Sequence, residues 1–205
     1  PGEMILVAGR PAMGKTAFVL SMARNIAVVY NRPVGIFSLE MSKELLFKRL
    51  VSAASSVNLK NINTGKLRDD QRVALANAIN QVGKAKIYID DTPGIKVNDL
   101  MAKTRKLATS NPDLGLIVID YLGLISTSSN GRNTDARHEE VRKISAALKG
   151  LASELKIPIV ILCQISRDAE KRDNKRPMLS DLRDSGAIEQ DADVVMLLNR
   201  SDYYP

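Results

Sequence analysis

The chain predicts a three-layer α/β sandwich with a mostly parallel central sheet, and two observations carry that class. Short apolar, β-branched runs alternate with longer segments of helical period. Each run is apolar at consecutive positions, not at every second one, as strands buried on both faces require.

The elements follow in order. Met4–Ala8 reads as the first strand, and Gly9-Arg10-Pro11-Ala12-Met13-Gly14-Lys15-Thr16 follows it, a G-x-x-x-x-G-K-T string opening a helical pattern over 15–30. Val34–Phe37 is the second strand, with helices expected over 42–55 and 69–83. Ile87–Ile89 is the third, followed by a helix over 97–109, and Leu116–Ile119 is the fourth. The polar, turn-rich stretch 126–136 reads as a mobile loop before a helix over 137–155. Ile159–Leu162 and Val194–Leu198 complete six strands. Residues 166–193, with 8 acidic and 6 basic side chains and scattered apolar ones, resist the pattern. A connection that long is functional or disordered.

Composition removes several function classes. The 205 residues are 44% hydrophobic and 26% charged, an ordinary globular balance. A single cysteine, Cys163, excludes a disulfide scaffold and a cysteine zinc site and fits a reducing cytoplasm; a single histidine, His138, leaves too few ligands for most metal sites. No apolar run approaches the roughly 18 residues of a membrane span, and no basic-then-apolar leader opens the chain. It starts at Pro1 almost directly in a strand, so an excised domain is expected. Thirty basic against 23 acidic residues give a net charge of +7, which invites a polyanion partner. The excess is uneven: residues 1–156 hold 23 basic and 14 acidic side chains, residues 157–205 hold 7 and 9.

The strongest chemical signal is residues 9–16. Between a strand and a helix this string is a phosphate-binding loop: backbone N–H groups curl around phosphate oxygens and the helix N-terminus adds its dipole. Lys15 would reach the β/γ-phosphates of a nucleotide and the Thr16 hydroxyl would ligate Mg²⁺. For the carboxylate beside the metal, Asp120 ends the apolar strand, while Asp90 or Asp91 ends the third one. Asp91-Thr92-Pro93-Gly94 has the D-x-x-G form of a GTPase, but the nearest guanine-reading string, Asn174-Lys175-Arg176-Pro177, has Pro where Asp is essential. The choice therefore falls on Asp120, with Asp91–Gly94 read as a turn. Hydrolysis also needs a group to orient or deprotonate water. Tyr121, not Glu, follows Asp120, so the base comes from elsewhere. Glu40 ends the second strand at the edge where α/β folds place ligands, and it is equally readable as a carboxylate favoured by a helix dipole. Gln164 ends the fifth strand in the same way, as a γ-phosphate contact or by chance. Cys163 reads as a small core residue.

Three strings, Phe37-Ser38-Leu39-Glu40-Met41-Ser42, Val118-Ile119-Asp120-Tyr121-Leu122 and the run from Asp181-Leu182-Arg183-Asp184-Ser185-Gly186 to Asp193, resemble the DnaB-type replicative helicases of bacteria and their phages. Their order and spacing resemble that family's RecA-like motor domain from Pro1 to Tyr204. The resemblance implies a homohexameric ring that uses ATP and Mg²⁺ to move along single-stranded DNA and open the fork, with a primase and a helicase loader as partners and no membrane. It makes Glu40 the catalytic glutamate, Asp120 the Walker B residue and Gln164 the γ-phosphate sensor. Lys15 and Thr16 hold nucleotide and Mg²⁺ within the loop Gly9, Arg10, Pro11, Ala12, Met13 and Gly14. Arg49 matches an arginine near the nucleotide, with a plain helix-surface charge as its other reading. Arg183, Asp184 and Gly186 fall in the element that grips the DNA backbone in the pore. Gly123 departs from a frequent Gln. The N-terminal domain, the linker helix and the K-x-R-N-G arginine-finger segment are expected outside this stretch. The 205 residues alone are therefore expected to bind nucleotide, to hydrolyse it slowly and to form rings poorly. A recombinase- or clock-type RecA relative is the rival reading, and a small-molecule kinase, without a clear basic lid pattern, a weaker one.

Overall fold

The computed structural model describes residues 2–120, 125, 134–172, 174 and 176–200, with no description of side chains at 134–138, 168, 171 and 183–187. Its six strands are β1 (Met4–Gly9), β2 (Val34–Ser38), β3 (Ile87–Asp90), β4 (Leu116–Asp120), β5 (Ile159–Gln164) and β6 (Val194–Leu197). They form one sheet in the order β3-β2-β4-β5-β1-β6. Every described pairing is parallel, so the sheet is more uniform than the mostly parallel one expected.

The helices are α1 (Lys15–Arg24), α2 (Lys43–Ser55), α3 (Leu59–Thr64), α4 (Asp69–Lys84), α5 (Val97–Ser110), α6 (Thr134–Leu155) and α7 (Gly186–Asp191). Strand order explains how they are shared between the faces. From β1 to β2 to β3 the chain travels one way along the sheet, and from β3 through β4 and β5 to β6 it travels back. Right-handed crossovers demand helices on opposite faces for opposite directions of travel. Accordingly α1, α2 and α4 enclose one core with Val7, Val34, Ile36, Leu116, Val118, Val160 and Leu162. The other core joins Leu6, Phe37, Ile117, Ile119, Ile159 and Ile161 to Leu100 of α5 and to Ile144, Leu148 and Leu151 of α6. Leu116 and Val118 face one core, Ile117 and Ile119 the other, and that double burial is why β4 reads as an unbroken apolar run.

Three expectations change. The helix over 15–30 is α1 followed by a π-helical turn, Asn25–Val29. Residues 59–64 form the unforeseen α3, six residues with none buried, started by the Asn58 side chain accepting the Lys60 N–H. Residues 166–193 are neither loop nor disordered but hold two 3-10 segments, Arg167–Lys171 and Leu179–Ser185, and then α7. The mobile loop expected at 126–136 lies outside the described residues, except 134–136, which are helical backbone of α6.

Candidate active site

Strand register gathers the site. Gly9 lies opposite Gln164 across β1 and β5, and Ser38 opposite Asp120 across β2 and β4. Four central strands thus end together on one edge of the sheet, the edge where α/β folds bind ligands.

Past β1 the backbone turns through residues 10–13 to Gly14, which has φ 90° and ψ 17° at the start of α1. A Cβ on Gly14 would meet nothing within 4 Å, so backbone conformation, not space, demands glycine here. Ala12 is also left-handed, at φ 65°, a strained choice for an L-residue. Such reversals aim successive N–H groups into one concavity, an anion nest in front of the α1 N-terminus. Gly9 answers to crowding: a Cβ would lie 3.0 Å from the Leu198 carbonyl oxygen, held there by the Leu198 N–H donating to the Ala8 carbonyl at 2.8 Å.

Lys15 folds over this loop, its Nζ donating to the Gly9 and Arg10 carbonyls at 2.8 and 3.1 Å. Burial lowers its pKa from the usual lysine value, opposed by the attraction of Asp120, Cys163 and Glu40. Thr16 Oγ1 donates to Asp120 Oδ2 at 2.9 Å. Asp120 is only 6% exposed, and burial pushes its carboxyl above the usual range. The Thr16 hydrogen bond, Lys15 and Arg49 pull it down, while Glu40 pushes it further up.

Glu40 sits on the exposed turn between β2 and α2. The Leu39 N–H donates to the Asp120 carbonyl at 2.6 Å, and buried Ser38 donates its hydroxyl to the Met41 carbonyl at 2.7 Å, so the turn is braced on both sides of Glu40. The Asp91 carboxylate accepts the Lys43 N–H at 3.0 Å, at the first residue of α2, and Asp90 takes Lys103 Nζ at 2.6 Å. Neither carboxylate lines the cleft. Arg49 on α2 does, and its buried Nε finds no acceptor among the described residues.

The cleft holds about 360 Å³ and is lined by Pro11, Ala12, Gly14, Lys15, Thr16, Ala17, Glu40, Met41, Arg49, Asp120 and Gln164. Six residues singled out in the sequence for chemistry, Lys15, Thr16, Glu40, Arg49, Asp120 and Gln164, therefore meet around one space. Gly9, Arg10 and Met13 do not line it. Met13 is buried, and the Arg10 guanidinium is engaged by both oxygens of Glu170, at 2.9 and 3.2 Å, and by the Ile165 carbonyl at 3.1 Å. Arg183 and Asp184 lie in the 3-10 segment Leu179–Ser185 and Gly186 opens α7, but their side chains lie outside the described residues. Tyr121, Gly123 and Tyr204 also lie outside them. Cys163 is a buried core residue at the end of β5.

Thr16 and Asp120 supply hard oxygen donors already in contact, which suits a small divalent cation. Among the described residues no group of three or more His, Cys, Asp or Glu could cage a metal, so these residues fit an ion that keeps water and phosphate ligands, as Mg²⁺ does. No described helix is long and apolar enough to cross a membrane.

Sequence reasoning missed Glu170, Asp91 and Asp193. Asp193 accepts the Met4 N–H at 2.7 Å and pairs with Lys149 Nζ, pinning the start of β1 to α6. Glu170 and Asp193 act 160 and 189 residues from their partners, beyond any local signal. Asp91 had one, since a carboxylate in a turn is a natural helix cap.

Similarity to known proteins agrees with this geometry. The chain is 50% identical over 202 residues to the replicative DNA helicase DnaB of Geobacillus stearothermophilus, a match covering 98% of this chain and 44% of that protein. It superposes with a TM-score of 0.92 on a solved helicase ATPase domain, at 39% identity over 98% of this chain and 71% of that one. A DnaB-like replicative helicase solved for its interactions with primase gives a TM-score of 0.93 at 39% identity, covering 99% of this chain and 48% of that one. The chain thus spans less than half the length of the curated relative. The family model for the DnaB-like helicase C-terminal domain matches residues 1–205, and the chain belongs to that family.

Proposed function

We propose that this chain is the ATP-hydrolysing motor of a replicative DNA helicase, and the observation that carries the reading is the Thr16–Asp120 contact beneath Lys15, with Glu40, Arg49 and Gln164 around the same cleft. ATP enters with its phosphates against residues 10–14 and the α1 N-terminus, and Lys15 Nζ exchanges its two carbonyl partners for phosphate oxygens. Thr16 and Asp120 hold Mg²⁺, which supplies charge neutralisation at the phosphates. Arg49 has an unmet donor for the same oxygens. Glu40 orients the attacking water and takes its proton. The water oxygen bonds to the γ-phosphorus, the bond from that phosphorus to the β,γ-bridging oxygen breaks, and ADP and inorganic phosphate leave. Gln164 contacts the γ-phosphate before cleavage and loses that contact after it.

Movement along single-stranded or forked DNA, the homohexamer, and the primase and loader partners belong to the same proposal. A relative of the chain was solved for its interactions with primase. A recombinase- or signalling-type ATPase is not favoured, because the relatives carry replicative-helicase names. The test is unwinding of a forked duplex by the full-length protein, with Lys15→Ala and Glu40→Gln as controls. ATP-dependent strand separation lost in both variants is expected; ATPase activity without any strand separation would reject the helicase assignment.

A further inference from the structure

One ion pair reaches out of the phosphate loop, and the mechanism above does not use it. Arg10 lies between β1 and the left-handed turn at Ala12. Its carbonyl accepts a hydrogen bond from Lys15 Nζ at 3.1 Å, while its guanidinium grips Glu170 through Nε and Nη2 at 2.9 and 3.2 Å. Nη1 donates to the carbonyl of Ile165, the residue next to Gln164. The Arg10 side chain is 11% exposed, so the two-pronged pair is shielded on the arginine side and geometrically fixed. Glu170 belongs to the 3-10 segment Arg167–Lys171. Beside it, Arg172 pairs through both terminal nitrogens with Asp181, whose other partners are the Met178 N–H and, through its carbonyl, the Ser166 N–H. Asp181 lies in the segment Leu179–Ser185 that carries Arg183 and Asp184.

A continuous series of charge-assisted contacts therefore runs from the lysine that must release the Arg10 carbonyl to bind phosphate, across Arg10–Glu170, to the segment with the candidate DNA contacts. We propose that the Arg10–Glu170 ion pair is the tie that passes nucleotide occupancy at the phosphate loop to the segment 167–185, and DNA occupancy back. The inference rests on the helicase reading. Glu170 touches neither the cleft nor the reacting atoms, so it is a positioning residue. Coupling between two sites is reciprocal in binding free energy, so loss of the tie shows from either side.

The experiment uses the full-length protein and oligothymidylate as the DNA probe, and compares Glu170→Ala with Glu170→Asp. For Glu170→Ala, the DNA-free kcat and the KM for ATP stay within about twofold of the parent, and DNA stimulation of kcat falls by about fivefold or more. Glu170→Asp keeps the carboxylate and recovers at least about half of that stimulation. The thermal midpoint is measured for both, to show that each folds. Full stimulation in Glu170→Ala, an equal loss in both variants, or a matching fall in DNA-free turnover would each overturn the tie. A parent protein that DNA does not stimulate would overturn the helicase reading with it, whereas stimulation of parent and Glu170→Ala alike would overturn the tie alone.

Discussion

Replacing Glu40 by Gln separates two properties of the cleft that a general loss of function would not. The cleft holds two carboxylates, Glu40 and Asp120, against two cationic side chains, Lys15 and Arg49. Gln keeps the size of Glu and removes one negative charge from a space about to receive a polyphosphate. A cleft of 360 Å³ is about 7 Å across if equidimensional. At that distance one unit of like-charge repulsion is worth about 1–2 kcal/mol for an effective dielectric of about 20–40. ATP should therefore bind about 5- to 30-fold more tightly to Glu40→Gln at low ionic strength, with the gain shrinking as salt is added. Turnover should fall by about 10²- to 10⁴-fold, the range a positioned general base supplies. Equilibrium titration with a fluorescent ATP analogue in Mg²⁺ reads the first quantity, and single-turnover phosphate release reads the second. Hydrolysis at the parent rate would remove Glu40 as the base. Weaker ATP binding would refute the electrostatic account of the cleft even if turnover fell.

Lys15→Ala should weaken ATP binding by about 10-fold or more, since it removes a charge-assisted hydrogen bond, while leaving the thermal midpoint of the ligand-free protein nearly unchanged; titration and calorimetry check both. Asp120, with its carboxyl pushed up by burial, contributes stability that is fully present below its unfolded pKa and is lost as pH rises through its folded one. Asp120→Asn should therefore raise the ligand-free melting temperature at neutral pH, lose the advantage in acid, and abolish the stabilisation by Mg²⁺ and nucleotide. Asp181 runs the other way: its hydrogen bond from Arg172 holds its carboxyl below the usual range, so that stability is present above the unfolded pKa and fades as pH falls through the folded one. Acid melts of Asp181→Asn against parent should converge at the lowest pH. Gly35→Ala should cost about 1–3 kcal/mol, because its Cβ would lie 2.6 Å from Leu107 Cδ2 and 2.7 Å from Ile117 Cδ1; urea unfolding measures it.

Legibility in the sequence followed the range of the physics. β4 could be read because burial on both faces writes itself into every residue from Leu116 to Ile119. The phosphate loop could be read because its demands, positive φ at Gly14 and a helix start at Lys15, are local. α3 could not, since six exposed residues leave no apolar stripe and rest on a single Asn58 cap. The short helices between 167 and 191 were hidden for a related reason: ion pairs such as Arg172–Asp181, not periodic burial, organise that stretch. The charge balance misled in its own way. The net +7 suggested a polyanion, yet the DNA-facing candidates lie in residues 157–205, where acidic side chains outnumber basic ones by 9 to 7. Backbone N–H groups can hold phosphates without side-chain charge.

By itself the sequence determined the α/β class, the six strands, the phosphate loop and the identities of six cleft residues. These follow from hydrophobic period, turn chemistry and motif spacing, each acting over a few residues. The tertiary structure alone decided that Asp120, and not Asp90 or Asp91, meets Thr16, because the order of strands in the sheet places β4 beside β2 and sends β3 to the edge. It also turned Arg10 to Glu170, placing the guanidinium outside the cleft. Such pairings join residues more than a hundred positions apart, and only the packing of the sheet and its helices brings them within hydrogen-bonding distance.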